Sequence, residues 1–325
     1  MLREEIIEYL GGDWELLNKY ISNSLLSDVS LLNKVNEDIL SHGGKMLRPI
    51  VALLIARLLN PKGACDEAIK VAAATELLHN ATLLHDDVAD HSATRRGEPT
   101  LCSKIGAGAA VLVGDFWLAR AMELTITSAK RDSMAKIFSK AMTNLAEGEM
   151  LQLQKSFGEG TDEKDYFKII YCKTASLFET ACVSAAIASD ASELQQKAIS
   201  EYAISLGIAF QIKDDILDYV GDDSLGKPIG VDLREQKITL PLLCALKNAP
   251  ERESEIRKMI SEIHLHPQYC EQIRKFVIDA SGVMDSEKIL IEYIFRALEA
   301  LSSFPESREK AYLRRVAEYN RLRKV

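Results

Sequence analysis

Apolar residues return at the three-to-four spacing of an amphipathic helix along most of the chain. Leu31, Leu32, Val35 and Ile39 show it, as do Ile291, Ile294, Phe295, Leu298 and Leu301. The strict alternation of a half-buried strand is weak throughout. Helix stops fall at Gly43-Gly44, Asn60-Pro61-Lys62-Gly63, Gly97-Glu98-Pro99, Phe157-Gly158-Glu159-Gly160 and Asn248-Ala249-Pro250. The segments between them suit a helical bundle, so the pattern predicts an all-α fold. No fixed-period repeat and no low-complexity tract interrupts it, which excludes a solenoid, and the length allows one large domain or two intimate ones. The stretch from Gly221 to Lys237 is rich in Gly, Asp and Lys and follows an apolar helix. Such a segment is a solvated connection or a binding lid.

Composition narrows this further. With 17 Gly and 8 Pro in 325 residues, too few turns are available for an all-β fold, while 47% hydrophobic residues can fill a large continuous core. The net charge of -8 is spread over a chain with 40 Lys and Arg, so no nucleic-acid partner is expected and any anion site must come from local basic groups. The 6 cysteines form no CxxC pair, which points to reduced thiols and a cytoplasmic setting. The start, MLREEIIEYLGGDWE, lacks the basic and apolar regions of a signal peptide. The most apolar stretch, Ile105 to Gly114, runs into Asp115 and is too short to span a bilayer, so no transmembrane segment is expected.

Two clusters carry the chemistry. Asp86-Asp87-Val88-Ala89-Asp90 and Asp214-Asp215-Ile216-Leu217-Asp218 are both DDxxD, and each interrupts an otherwise apolar helical pattern. On a helix the first and last aspartates share a face one turn apart. Like charges repel there and are costly to bury, so a cation should neutralise them. Hard carboxylate oxygens suit Mg²⁺, which is held by one or two carboxylates together with substrate phosphates. Two such clusters facing each other would grip one diphosphate through bridging metals. A single DDxxD reads equally well as a solvated acidic face; two copies in apolar helices do not. Basic groups able to hold phosphate stand near helix ends: Lys45 and Arg48, Arg95 and Arg96, Lys173 beside Thr174, and Lys227 and Lys237.

With these residues in view, the chain resembles the trans-isoprenyl diphosphate synthases, and within them the long-chain, octaprenyl-like branch. The resemblance runs through GGKMLRP, LLHDDVADHSATRRGEPT, VLVGDFWLARA, EGEMLQLQ, KTASLFE and GIAFQIKDDILDYVGDDSLGKPIGVDLREQKITLPLL. It implies a large helical bundle around a central cavity, three Mg²⁺ per site and a homodimer. It makes Asp86, Asp90 and Asp214 direct metal ligands, with Asp87, Asp215 and Asp218 supporting them or binding through water. Lys45, Arg48, His79 and Arg96 would hold isopentenyl diphosphate. Arg95, Lys173, Lys227 and Lys237 would hold the allylic diphosphate, with Thr174 and Gln211 near the reacting carbons. Two positions depart from the family: Met46 stands where Arg is frequent, and Gln236 where Gly is usual, which puts the role of Lys237 in question.

The implied reaction is electrophilic chain extension, with Phe178, Phe210 and aliphatic neighbours keeping water from a carbocation. Below the first cluster, Ala81 and Thr82 are small and Leu78 lies about one turn deeper, so no aromatic floor stops a growing chain there. The family likeness therefore implies a product in the hexaprenyl to decaprenyl range, octaprenyl favoured, made from farnesyl or geranylgeranyl diphosphate and released with transient membrane contact. The alternatives are a short-chain synthase and a non-catalytic subunit of a heteromeric synthase. A di-iron bundle is excluded because Glu76-Leu77-Leu78-His79 is the only Glu-x-x-His among 6 histidines. A terpene cyclase would lack the GGKxLRP segment. The basic C-terminal residues, Arg314, Arg315, Arg321, Arg323 and Lys324, read either as a segment folded over the diphosphate site or as a solvated tail, and the tail is favoured.

Overall fold

The computed structural model describes residues 2–95, 97–156, 160–220 and 229–323. Its helices in chain order are α1 (Leu2–Leu10), α2 (Gly12–Ser24), α3 (Ser30–Ser41), α4 (Leu47–Leu59), α5 (Asp66–Ala89), α6 (Leu101–Ile105), α7 (Ala107–Ile126), α8 (Arg131–Gln154) and α9 (Glu163–Ile170). They continue as α10 (Ser176–Ala188), α11 (Glu193–Val220), α12 (Val231–Arg234), α13 (Leu240–Asn248), α14 (Glu253–Ser261), α15 (Tyr269–Asp279), α16 (Gly282–Ala300) and α17 (Arg308–Leu322). A two-residue antiparallel pair, β1 (Thr94–Arg95) with β2 (Glu98–Pro99), is the one sheet among the described residues. The fold is all-α, as the periodicity predicts; the expected stops at Gly43-Gly44 and Asn60 to Gly63 lie between helices, and the one at Asn248 to Pro250 begins on the last residue of α13. The stop at residues 157–159 falls outside the described residues.

Backbone contacts divide the chain into two compact units. The first comprises Met1–Ala141, Leu177–Ser200 and Ser303–Leu313, the second Met142–Ser176, Glu201–Ser302 and Arg314–Val325. In the first, α4 is apolar on every side, and Ile50 through Ala56 are at most 1% exposed. A helix that buries all its faces belongs in the middle of a core. Val71 through Leu78 of α5 are buried as well, and the helix packs on α2, α4 and α7. Polar anchors fix the shell around them. Arg57 donates to the Asp13 carboxylate at 2.6 Å and to the carbonyls of Tyr9 and Leu10, tying α4 to the first two helices. Trp117 Nε1 donates to Asn36 Oδ1 at 2.8 Å, and Asn36 Nδ2 donates in turn to the Leu25 carbonyl.

The second unit holds two apolar clusters. One gathers Ile208, Ile212 and Ile216 of α11 with Tyr166, Leu240 and Leu290. The other is built on Leu242, Ile256, Ile273 and Phe276. Asp162 and Asp165 form a reciprocal capping box that starts α9. The chain then passes into a π turn over Tyr171–Ala175 before α10, a feature the periodicity gave no sign of. A π turn inserts one residue into a helix and shifts every later side chain around the axis, and such turns concentrate at functional sites.

Helices α13 and α16 approach closely at Gly282. A Cβ there would run into the Pro241 carbonyl oxygen and lie 2.9 Å from the Ala245 Cβ. Backbone cannot yield as a flexible side chain does, so Gly282→Ala should cost about 1–3 kcal/mol and lower Tm by several degrees. Thermal unfolding followed by circular dichroism checks this, and an unchanged Tm counts against the packing described.

Candidate active site

In the first unit the acidic cluster lies at the C-terminal end of α5, where the apolar character of the helix runs out. Asp90 is the C-cap; its backbone N–H donates to the Asp86 carbonyl at 2.8 Å. Asp87 is only 4% exposed, and its Oδ1 accepts from Arg95 Nε of β1 at 2.7 Å. Burial raises the Asp87 pKa above the usual carboxylate value, and the Arg95 guanidinium opposes that rise. Asp86 is half-buried and Asp90 exposed. His85 lies in the space left by Gly114 of α7, close enough that a Cβ on that glycine would collide with the ring, and its Nε2 is 3.3 Å from Asp115 Oδ1.

The basic residues of this unit are spread over its helix ends. Lys45 is exposed just before α4, and Arg48 sits in the first turn of α4 with its guanidinium 4.8 Å from the Phe178 ring centre. His79 is half-buried on α5, one turn after the buried Glu76. Leu78 and Ala81 are each 1% exposed, whereas Thr82 is half-buried and donates its hydroxyl to the His79 carbonyl at 2.8 Å. Arg96 lies outside the described residues.

In the second unit α11 supplies Gln211, Asp214, Asp215 and Asp218. Asp215 is buried and both its oxygens are engaged: Tyr166 of α9 donates its hydroxyl to Oδ2 at 2.6 Å, and Gln211 Nε2 donates to Oδ1 at 2.8 Å. Gln211 Oε1 accepts from the Thr174 hydroxyl at 2.7 Å. Asp218 accepts from the backbone N–H of Val231 at 3.0 Å and of Asp232 at 3.2 Å, one on each oxygen. Burial raises the pKa of Asp215 and of Asp218, and these donated bonds oppose the rise. Burial, together with the two neighbouring carboxylates, also raises Asp232. Lys173 stands on the π turn and reaches Glu149 Oε1 at 2.6 Å and Gln152 Oε1 at 3.0 Å. Gly148 of α8 permits this approach, since a Cβ there would be 2.7 Å from the Cys172 Cβ. Lys237 pairs with Glu235 at 2.5 Å, and Lys227 falls outside the described residues.

The C-terminal residues correct one expectation. Arg323 is not part of a solvated tail: its side chain is 3% exposed and its Nη1 bonds Asp214 Oδ1 at 2.7 Å. Its Nη2 donates to the Phe210 carbonyl at 2.5 Å, and its guanidinium lies 4.0 Å from the Phe210 ring centre. The pairing of charge and ring outweighs the hydration the sequence suggests. Nor is the stretch after α11 wholly a loop, because Val231–Arg234 forms α12 and presents the N–H groups that hold Asp218. Residues 221–228 of that stretch are outside the described set.

Among the described residues no three His, Cys, Asp or Glu side chains converge as a ready metal cage. The carboxylate oxygens of Asp86, Asp90 and Asp214 are of the kind a hard divalent ion takes when its remaining ligands are water and substrate oxygens. The polyprenyl synthetase family model matches residues 29–277. The chain belongs to the polyprenyl synthetase family. It is 37% identical over 309 residues to the octaprenyl diphosphate synthase of Escherichia coli K12, covering 95% of this chain and 88% of that one. It is 40% identical over 315 residues to the all-trans-nonaprenyl-diphosphate synthase (geranyl-diphosphate specific) of Rhodobacter capsulatus, covering 94% and 93%. Its fold matches the Caulobacter crescentus CB15 polyprenyl synthase, solved in complex with calcium and isoprenyl diphosphate. The TM-score is 0.91 at 34% identity, over 99% of this chain and 98% of that one.

As a polyprenyl synthetase the chain is a prenyltransferase, and its departure at Gln236 acquires a structural reading. Gln236 has φ 57, the left-handed conformation that glycine adopts without strain. Its side chain donates to the carbonyls of Ile260 at 3.0 Å and Ser261 at 3.1 Å, so the residue is anchored where glycine would merely be permitted. Gln236→Ala keeps the strained backbone and loses both bonds, and should cost about 1–2 kcal/mol. Gln236→Gly loses the bonds but relieves the strain and should unfold close to the natural protein. A Tm for Gln236→Ala equal to that of the natural protein would show that the anchor does nothing, and equal Tm values for the two variants that the left-handed backbone carries no strain.

Proposed function

We propose that this prenyltransferase is a long-chain trans-polyprenyl diphosphate synthase, one domain over residues 1–325, that condenses isopentenyl diphosphate sequentially onto an allylic diphosphate. The observation that carries the reading is the pair of DDxxD clusters, one at the end of α5 and one on α11, in a chain of the polyprenyl synthetase family. The chain's own donors hold Asp87, Asp214, Asp215 and Asp218, and Asp86, Asp90 and Asp214 are the residues assigned to metal. The octaprenyl and nonaprenyl synthases among its relatives support the long product, with octaprenyl favoured.

In this reading Asp86, Asp90 and Asp214 would hold Mg²⁺, three ions in all, and the metal would supply the positive charge that makes diphosphate a good leaving group. Lys45, Arg48, His79 and Arg96 hold isopentenyl diphosphate. Arg95, steadied by Asp87, joins Lys173, Lys227 and Lys237 on the allylic diphosphate. The allylic C–O bond breaks with its electron pair leaving on diphosphate, the isopentenyl double bond forms the new C–C bond, and a proton departs to the released diphosphate. The side chains contribute by binding both substrates in reacting orientation and by excluding water, the latter through Phe178 and Phe210. Growth runs past Ala81, Thr82 and Leu78. The six free thiols support a reducing, cytoplasmic setting, and a homodimer follows from the family likeness. Among the described residues no helix is long and apolar enough to cross a membrane.

Incubation with Mg²⁺, isopentenyl diphosphate and either geranyl or farnesyl diphosphate should give long polyprenyl diphosphates on thin-layer chromatography, and chelation should abolish them. Geranylgeranyl diphosphate as sole product would favour the short-chain reading, and no product at all the non-catalytic one. Ala81→Phe should shorten the product by several isoprene units; an unaltered length would remove Ala81 from the tunnel.

A further inference from the structure

Asp215 and Tyr166 form a connected set with Gln211 and Thr174 whose polarity follows from an ionised Asp215. An ionised carboxylate only accepts hydrogen bonds, and both Asp215 oxygens do so, from Tyr166 and from the Gln211 amide nitrogen. The amide nitrogen of Gln211 must then face Asp215, and its carbonyl oxygen faces Thr174. The Thr174 hydroxyl is consequently the donor in that last bond, and its oxygen keeps its lone pairs for whatever lies on its other side. Tyr166 and Asp215 are buried, at 2% and 3% exposure, so neither direction can be exchanged cheaply with water. The π turn places Thr174 at this spot.

We propose that Tyr166 and Asp215 are positioning residues that orient Gln211 and, through it, hold the Thr174 oxygen with its lone pairs toward the allylic carbons during ionisation. This rests on the synthase reading above and adds to it. The second aspartate of the second cluster orients the reaction centre instead of binding metal, and Tyr166, which no motif marks, belongs to the same device. A lone pair facing the carbon that becomes cationic favours the charged state over the neutral ground state, so the device acts on kcat. A Thr174 hydroxyl turned the other way would present its hydrogen to the developing charge.

Steady-state kinetics on the full chain test this with Tyr166→Phe, which removes one oxygen and keeps the ring. Expected is a fall in kcat of about tenfold, with KM for both substrates and the Mg²⁺ concentration at half-activity unchanged. The same loss should appear in a Thr174→Ser background, where the hydroxyl persists, and shrink below about twofold in Thr174→Ala, where nothing remains to orient. Asp215→Asn, checked for folding by circular dichroism, should likewise lower kcat at unchanged Mg²⁺ requirement, whereas Asp214→Asn should raise that requirement. An equal loss from Tyr166→Phe in the Thr174→Ala background, or a raised Mg²⁺ requirement in Asp215→Asn, would overturn the proposal while leaving the synthase reading intact. An inactive natural protein would overturn both.

Discussion

Six carboxylates set into two apolar helices impose a constraint that much of the molecule answers. An aspartate that is buried or stacked one turn from another is costly unless something donates to it or neutralises it. In each cluster part of the answer is built into the chain. Arg95 neutralises Asp87, Tyr166 and Gln211 saturate Asp215, backbone N–H groups hold Asp218, and Arg323 pairs with Asp214. The carboxylates held in this way stiffen the frame. The remaining negative charge is what a divalent ion and a diphosphate would complete.

Close approach is the second theme, and it serves the first. Gly148 lets α8 come so near the π turn that Glu149 and Gln152 reach Lys173, and Gly114 leaves room for His85 beside Asp86. These glycines matter for what they omit: a single methyl group would displace the His85 ring at Gly114, and Cys172 and Lys173 at Gly148. Gln236 solves a related problem differently, accepting a left-handed backbone and offsetting it with two side-chain bonds.

Much of this was legible in the sequence, for identifiable reasons. Helical periodicity is a local property, so the all-α fold and most of its stops could be read directly. The DDxxD pairs could be read because a solvated acidic face explains one such cluster but not two copies in apolar runs. Tyr166 could not: in sequence it is one more aromatic on an amphipathic helix, and only the return of α11 past it reveals the carboxylate it serves. Arg323 looked like a solvated cation because its partners, Asp214 and the Phe210 ring, lie far back along the chain. The π turn was invisible for another reason, since it shifts register without changing composition. Glu149 and Gln152 stood in a motif visible from the start, but their task depends on Gly148 and became apparent only in three dimensions.

The central claim is that the aspartate clusters are partial metal sites completed by the substrate's phosphate oxygens. Isothermal titration of the natural protein with Mg²⁺, alone and with inorganic diphosphate present, tests it most directly. The account predicts weak binding by the protein alone and a strong rise in affinity once diphosphate is added. Tight, saturable Mg²⁺ binding that diphosphate does not alter would contradict it.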